Sequence, residues 1–76
     1  PFNPSTLIKF SLPNDTKVKI MAYDVTGRHV DTILNKRLDA GYYDLTWKPT
    51  MLSSGIYLLS IHTNESDLTH KVMFIK

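Results

Sequence analysis

Three histidines, His29, His62 and His70, are the side chains of this sequence best suited to acid–base or metal chemistry. Their spacing supports neither role. Zinc sites hold ligands a few residues apart and often complete the set with cysteine, which this chain lacks altogether. His62 and His70 are expected to face each other across a hairpin centred near Asn64 to Asp67, as solvated strand positions. Nucleophilic catalysis is no better served: there is no Gly-x-Ser-x-Gly, and Ser53, Ser54 and Ser60 have no convincing base in the pattern. Asp15, Asp24, Asp39 and Asp67, four of the six aspartates, stand singly in segments where a carboxylate caps its own turn. Asp15, Asp24 and Asp39 could gather around calcium only by folding, since no alternating run of acidic residues is present. Trp47, Tyr42, Tyr43, Tyr57 and Tyr23 could form a sugar platform. However, Tyr43, Leu45 and Trp47 alternate on one face and are better read as core, leaving Tyr42 and Tyr23 as surface aromatics. No enzyme site and no cofactor are expected.

The elements that would carry these residues are strands. Ile8, Phe10 and Leu12 alternate with Lys9 and Ser11, and Val18, Ile20 and Ala22 with Lys17, Lys19 and Met21. Pro13-Asn14-Asp15 separates the two with turn chemistry. Val25-Thr26-Gly27 reads as a three-residue hairpin loop with Gly27 in the left-handed position. Between Arg28 and Leu38, Val30, Ile33, Leu34 and Leu38 fit a helical face, while Val30, Thr32 and Leu34 fit a strand. Strand is preferred, because the hairpin at Gly27 pairs the segment with its predecessor and no capping box introduces it. Tyr43 to Trp47 is a strand that stops before Pro49. Ile56 to His62 is apolar on both faces, which predicts a central strand covered on both sides. Leu68 to Ile75 is the last. Short strands at spacings near ten residues predict an all-β, antiparallel immunoglobulin-like sandwich of about seven strands, in one domain spanning residues 1–76.

Composition narrows the function. The chain has 76 residues, 42% hydrophobic and 21% charged, with eight aromatics to compensate for the missing disulfides. Its net charge is only +2, and its longest basic run is Lys36-Arg37, so no nucleic-acid partner is expected. No apolar run approaches the roughly 20 residues that span a bilayer as a helix. A start without methionine inside a proline-rich phrase suggests a C-terminal module excised from a longer exported parent.

Three marks stand out in order. They are Pro1-Phe2-Asn3-Pro4-Ser5-Thr6, then Tyr23-Asp24-Val25-Thr26-Gly27-Arg28, then Gly55-Ile56-Tyr57, followed by an ending with Lys71, Val72, Met73 and Lys76. Together they resemble the C-terminal sorting domain (type A) of the type IX secretion system, related to the immunoglobulin-like domain of the flagellar hook-capping protein. The resemblance covers nearly the whole chain. It implies a non-catalytic signal that directs its parent across the outer membrane of Bacteroidota-type bacteria, through the periplasm, to the cell surface or medium. It implies protein partners, namely the outer-membrane translocation machinery and a sortase-like peptidase, for a monomer that takes no small-molecule substrate. Carried over by position, the recognition residues would be Asn3, Pro4, Gly27, Gly55, Tyr57, Lys71, Val72 and Lys76. An apolar last strand at a sheet edge would suit such a signal, since its unpaired backbone groups can be read by strand addition. The alternative is an immunoglobulin-like accessory module of a secreted enzyme, joining domains, attaching to cells or binding carbohydrate.

Overall fold

The computed structural model describes residues 5–49 and 52–74. Six strands follow one another without a helix among the described residues: β1 Thr6–Leu12, β2 Thr16–Asp24, β3 His29–Leu38, β4 Gly41–Trp47, β5 Gly55–His62 and β6 Asp67–Phe74. They form two antiparallel sheets, one ordered β1-β4 and the other β3-β2-β5-β6. The expected sandwich is present, but with six described strands rather than about seven. The alternating segments themselves number six, and each became one strand. The chain crosses between sheets after β1, β3 and β4, and only the β2–β3 and β5–β6 connections are hairpins. The turn at Asp39-Ala40 therefore changes sheets instead of reversing within one.

Alternation decides what is buried. Val18, Ile20 and Ala22 of β2 and Tyr57, Leu59 and Ile61 of β5 face inward; Ile8 and Leu12 of β1 and Trp47 of β4 meet them from the other sheet. A polar chain of contacts ties the sheets at the Trp47 end. Trp47 Nε1–H donates to Asp31 Oδ2 at 2.8 Å, and the indole meets the Tyr57 ring edge-on with centroids 6.2 Å apart. The Tyr57 hydroxyl in turn donates to the Ser53 carbonyl at 2.7 Å. A tyrosine that ties the start of its strand to the backbone just upstream is a corner device of immunoglobulin-like sandwiches. At the opposite end the buried Thr16 hydroxyl accepts from the Asn64 N–H at 3.1 Å, joining the start of β2 to the β5–β6 loop.

The segment from Arg28 to Leu38 is a strand, as expected, and its helical spacing has a physical source. Its register against β2 slips twice, between Ile20 and Met21 and between Ala22 and Tyr23, leaving Ile33 and Val30 without partners. Each bulge shifts the alternation by one residue. Val30, Ile33 and Leu34 can then all pack on the core from a strand.

β5 departs from expectation. It is central, between β2 and β6, but only one face of its sheet is covered by the other sheet. On the outer face Leu58 is half-buried and Ile56 is exposed. The apolar character of both faces therefore leaves an apolar surface rather than marking a strand enclosed on both sides.

Candidate functional site

The β2–β3 hairpin is built around one carboxylate. Asp24 Oδ1 accepts from the Thr26 N–H at 2.9 Å, the Thr26 hydroxyl at 2.6 Å and the Arg28 N–H at 3.1 Å, and Arg28 Nε–H reaches Oδ2 at 3.2 Å. The Thr26 hydroxyl first, and then the Arg28 N–H, hold the Asp24 carboxyl below its usual pKa. Gly27 closes the three-residue loop with φ of +88°, the left-handed position expected of it, and its N–H donates to the Asp24 carbonyl at 3.0 Å.

This loop sits beside two other marked segments. Asp24 is in register with Tyr57, Tyr57 with Val72, and Gly55 with Phe74. The Gly27 hairpin, the start of β5 and the last residues of β6 thus share one end of the four-stranded sheet. Trp47, which touches Tyr57, is in register with Thr6, so β1 enters at that end too. Tyr57 and Val72 point into the core, where Tyr57 is buried and Val72 half-buried. Lys71 is exposed on the opposite face. Gly55 needs no glycine conformation, and nothing lies within 4 Å of an added Cβ. Asn3, Pro4 and Lys76 lie outside the described residues.

Outer-face neighbours of this end form a surface that the sequence did not single out. Tyr23 and Lys71 flank Leu58 in register, and Ile56 is opposite Met73. Met73 is 64% exposed and Ile56 38%. The patch lies on β6, an edge strand that pairs only with β5 among the described residues. Its signal was available in the alternation of β5 and β6, once only one face of that sheet is covered.

The remaining candidates are placed less favourably for chemistry. His62 is in register with Asp67, and His70 with Leu59, so the two histidines do not face each other. The loop Thr63 to Ser66 is closed by Thr63 N–H to the Ser66 carbonyl, which sets His62 opposite Asp67 instead of His70. Ser60 does have a base. Its Oγ lies 2.5 Å from His62 Nε2, while His62 Nδ1 lies 2.6 Å from Asp67 Oδ1. Residues 60 and 62 share a strand face, and the hairpin brings Asp67 opposite, an arrangement that the sequence reading missed. This chain of contacts has the connectivity of a catalytic triad, but it lies on a flat sheet face. Ser60 is 7% exposed, and backbone N–H groups that could stabilise an oxyanion are engaged in the ladder. The geometry fits a polar clasp on the last hairpin.

Asp15 accepts from the Ala40 N–H at 2.7 Å and Asp24 is filled by its own loop. Among the described residues no three acidic or histidine side chains gather around a metal-sized space. Tyr42, 93% exposed on β4, and Tyr23 on β2 lie on the outer faces of different sheets, so they form no common sugar platform. Tyr43 stacks on Phe10 at 5.3 Å between the sheets, and Trp47 is core.

No curated protein and no solved structure matches the chain. The family model described as "Secretion system C-terminal sorting domain" matches residues 1–76. The match over the whole length, on a chain whose described residues form an all-β pair of antiparallel sheets, places this chain in the family of C-terminal sorting domains of the type IX secretion system.

Proposed function

We propose that this sorting domain is read at the β6 end of its four-stranded sheet, by the outer-membrane translocation machinery. As a member of its family the domain is a sorting signal for type IX secretion. It implies export to the cell surface or the medium and contact with the secretion machinery. The finer reading rests on one observation: the exposed apolar pair Met73 and Ile56 lies on and beside an edge strand, next to Lys71. Edge backbone groups supply binding that tolerates side-chain variation, while the apolar patch and Lys71 supply selectivity. In this reading Gly27 and Tyr57 act by holding the site's shape and Gly55 opens β5 beside them, whereas Lys71 and Val72 belong to the strand that is read. By family resemblance Asn3, Pro4 and Lys76 also take part in recognition. The domain crosses the periplasm folded, as a monomeric module of a longer exported parent, and a sortase-like peptidase removes it at the surface.

In-cell photo-crosslinking tests the site. A photoreactive residue at Met73 should yield an adduct containing a translocation subunit, while the same residue at Tyr42 should not. Equal capture from both positions, or capture from Tyr42 alone, would contradict the placement.

A further inference from the structure

The four-stranded sheet has two edges, β3 and β6, and they are prepared differently. β3 is guarded. Its register against β2 slips twice, and Lys36, the register partner of buried Val18, stands on the inner face. Bulges and inward charges of this kind blunt an edge against further pairing. β6 carries neither. It pairs with β5 without a slip from Asp67 to Phe74. Leu68, His70 and Val72 are opposite buried Ile61, Leu59 and Tyr57, which sets them on the inner face with no lysine or carboxylate among them. Leu68 is 53% exposed there.

The outer row of β6 selects what a further strand must carry. Asp67, Thr69, Lys71 and Met73 follow one another on that face, opposite His62, Ser60, Leu58 and Ile56. Lys71 is exposed, and its same-face neighbours Leu58, Thr69 and Met73 offer it no carboxylate. It is in no ion pair among the described residues. Asp67 ends the row beside His62, which has Lys19 opposite it on β2. Asp67 and Lys71 thus set two opposite charges about 13 Å apart along one strand face. Charges directly opposite on paired strands attract when unlike and repel when alike.

A second copy of β6 is a poor match. Antiparallel pairing that sets Asp67 against Lys71 also sets Met73 against Glu65, which leaves the apolar end without an apolar partner. We infer that the segment received at β6 is a strand of a different polypeptide. One face of it carries, at alternate positions, an apolar residue, a carboxylate, a β-branched residue and a cation, set against Met73, Lys71, Thr69 and Asp67. Its other face is apolar and lies beside Leu68 and Val72. The inference rests on the placement of the recognition site at β6 and adds the chemistry of the segment that binds there.

Titration of the 1–76 domain with blocked peptides tests this, with amide shifts and hydrogen exchange followed by NMR. The matched peptide is Ile-Val-Glu-Val-Thr-Val-Lys; in the mismatched one, lysine replaces the glutamate. The matched peptide should give saturable shifts and slowed exchange across β6. The mismatched peptide should bind at least about threefold more weakly, since one attractive cross-strand pair becomes repulsive. Lys71→Glu, at an exposed position, should reverse that preference. No saturable shift at millimolar peptide, equal affinity for both peptides, or a preference that Lys71→Glu leaves unchanged would overturn the inference. So would shifts confined to β1 or β3, or a dimer that protects β6 amides before peptide is added. A Met73 crosslink to the translocation machinery without charge preference here would overturn the strand chemistry and leave the placement of the site standing. Charge preference here without that crosslink would do the reverse.

Discussion

Asp24 and Gly27 show how much of a loop single residues determine. Gly27 at φ +88° has open space around its Cβ position, so replacing it meets backbone strain alone. Gly27→Val should lower stability by about 1–2 kcal/mol in denaturant unfolding, and Gly27→Asn by less, since asparagine enters the left-handed region more readily. Asp24 has a folded pKa below that of an ordinary aspartate, held there chiefly by the Thr26 hydroxyl. The sign follows by linkage: its contribution is complete above about pH 4 and is lost as pH falls through the depressed folded value. Asp24→Asn should therefore flatten the acid limb of a stability-versus-pH curve measured between about pH 5 and 2. A variant curve parallel to the parent's would assign the acid limb to other carboxylates. Gly27 was legible in sequence because a tight loop between alternating segments demands a particular dihedral. The Ser60–His62–Asp67 contact was not read, because it depends on a hairpin register that a one-residue change in loop closure resets.

Among elements, period-2 alternation revealed five strands directly, and the sixth, β3, was obscured by its own bulges. Two slips against β2 bring Val30, Ile33 and Leu34 onto the core with spacings that imitate a helix. The Gly27 hairpin resolved the ambiguity, because it forces pairing with β2. What alternation could not reveal was which faces are covered. β5 reads the same whether its second face is buried or open, and only the pairing of the sheets decides. The same pairing predicts the order of local stability. β2 and β5 are flanked on both sides in their sheet and carry most of the buried residues, whereas β1, β4, β3 and β6 are edges. Native-state hydrogen exchange should therefore be slowest for inner amides of β2 and β5 and faster in β6. Slowest exchange in β6 would mean that its edge is protected, which contradicts an open recognition strand.

At the scale of the whole molecule, the domain is a small sandwich whose order of marks reflects a shared location. The Gly27 hairpin, the Gly55–Tyr57 start of β5 and the Lys71–Met73 stretch of β6 are distant in sequence and adjacent in space. The sequence showed the marks and their order. Their convergence, and the apolar patch of Ile56 and Met73 beside them, required the sheet topology. The central claim is that this domain alone carries the sorting information. Its most direct test fuses residues 1–76 behind a signal-peptide-directed fluorescent protein in a host with the type IX apparatus. Fluorescence in the medium and on intact cells is then compared with a host strain lacking the apparatus. The account predicts surface or extracellular fluorescence only where the apparatus is present. A folded, fluorescent fusion that stays inside the cell envelope of the competent host would contradict it.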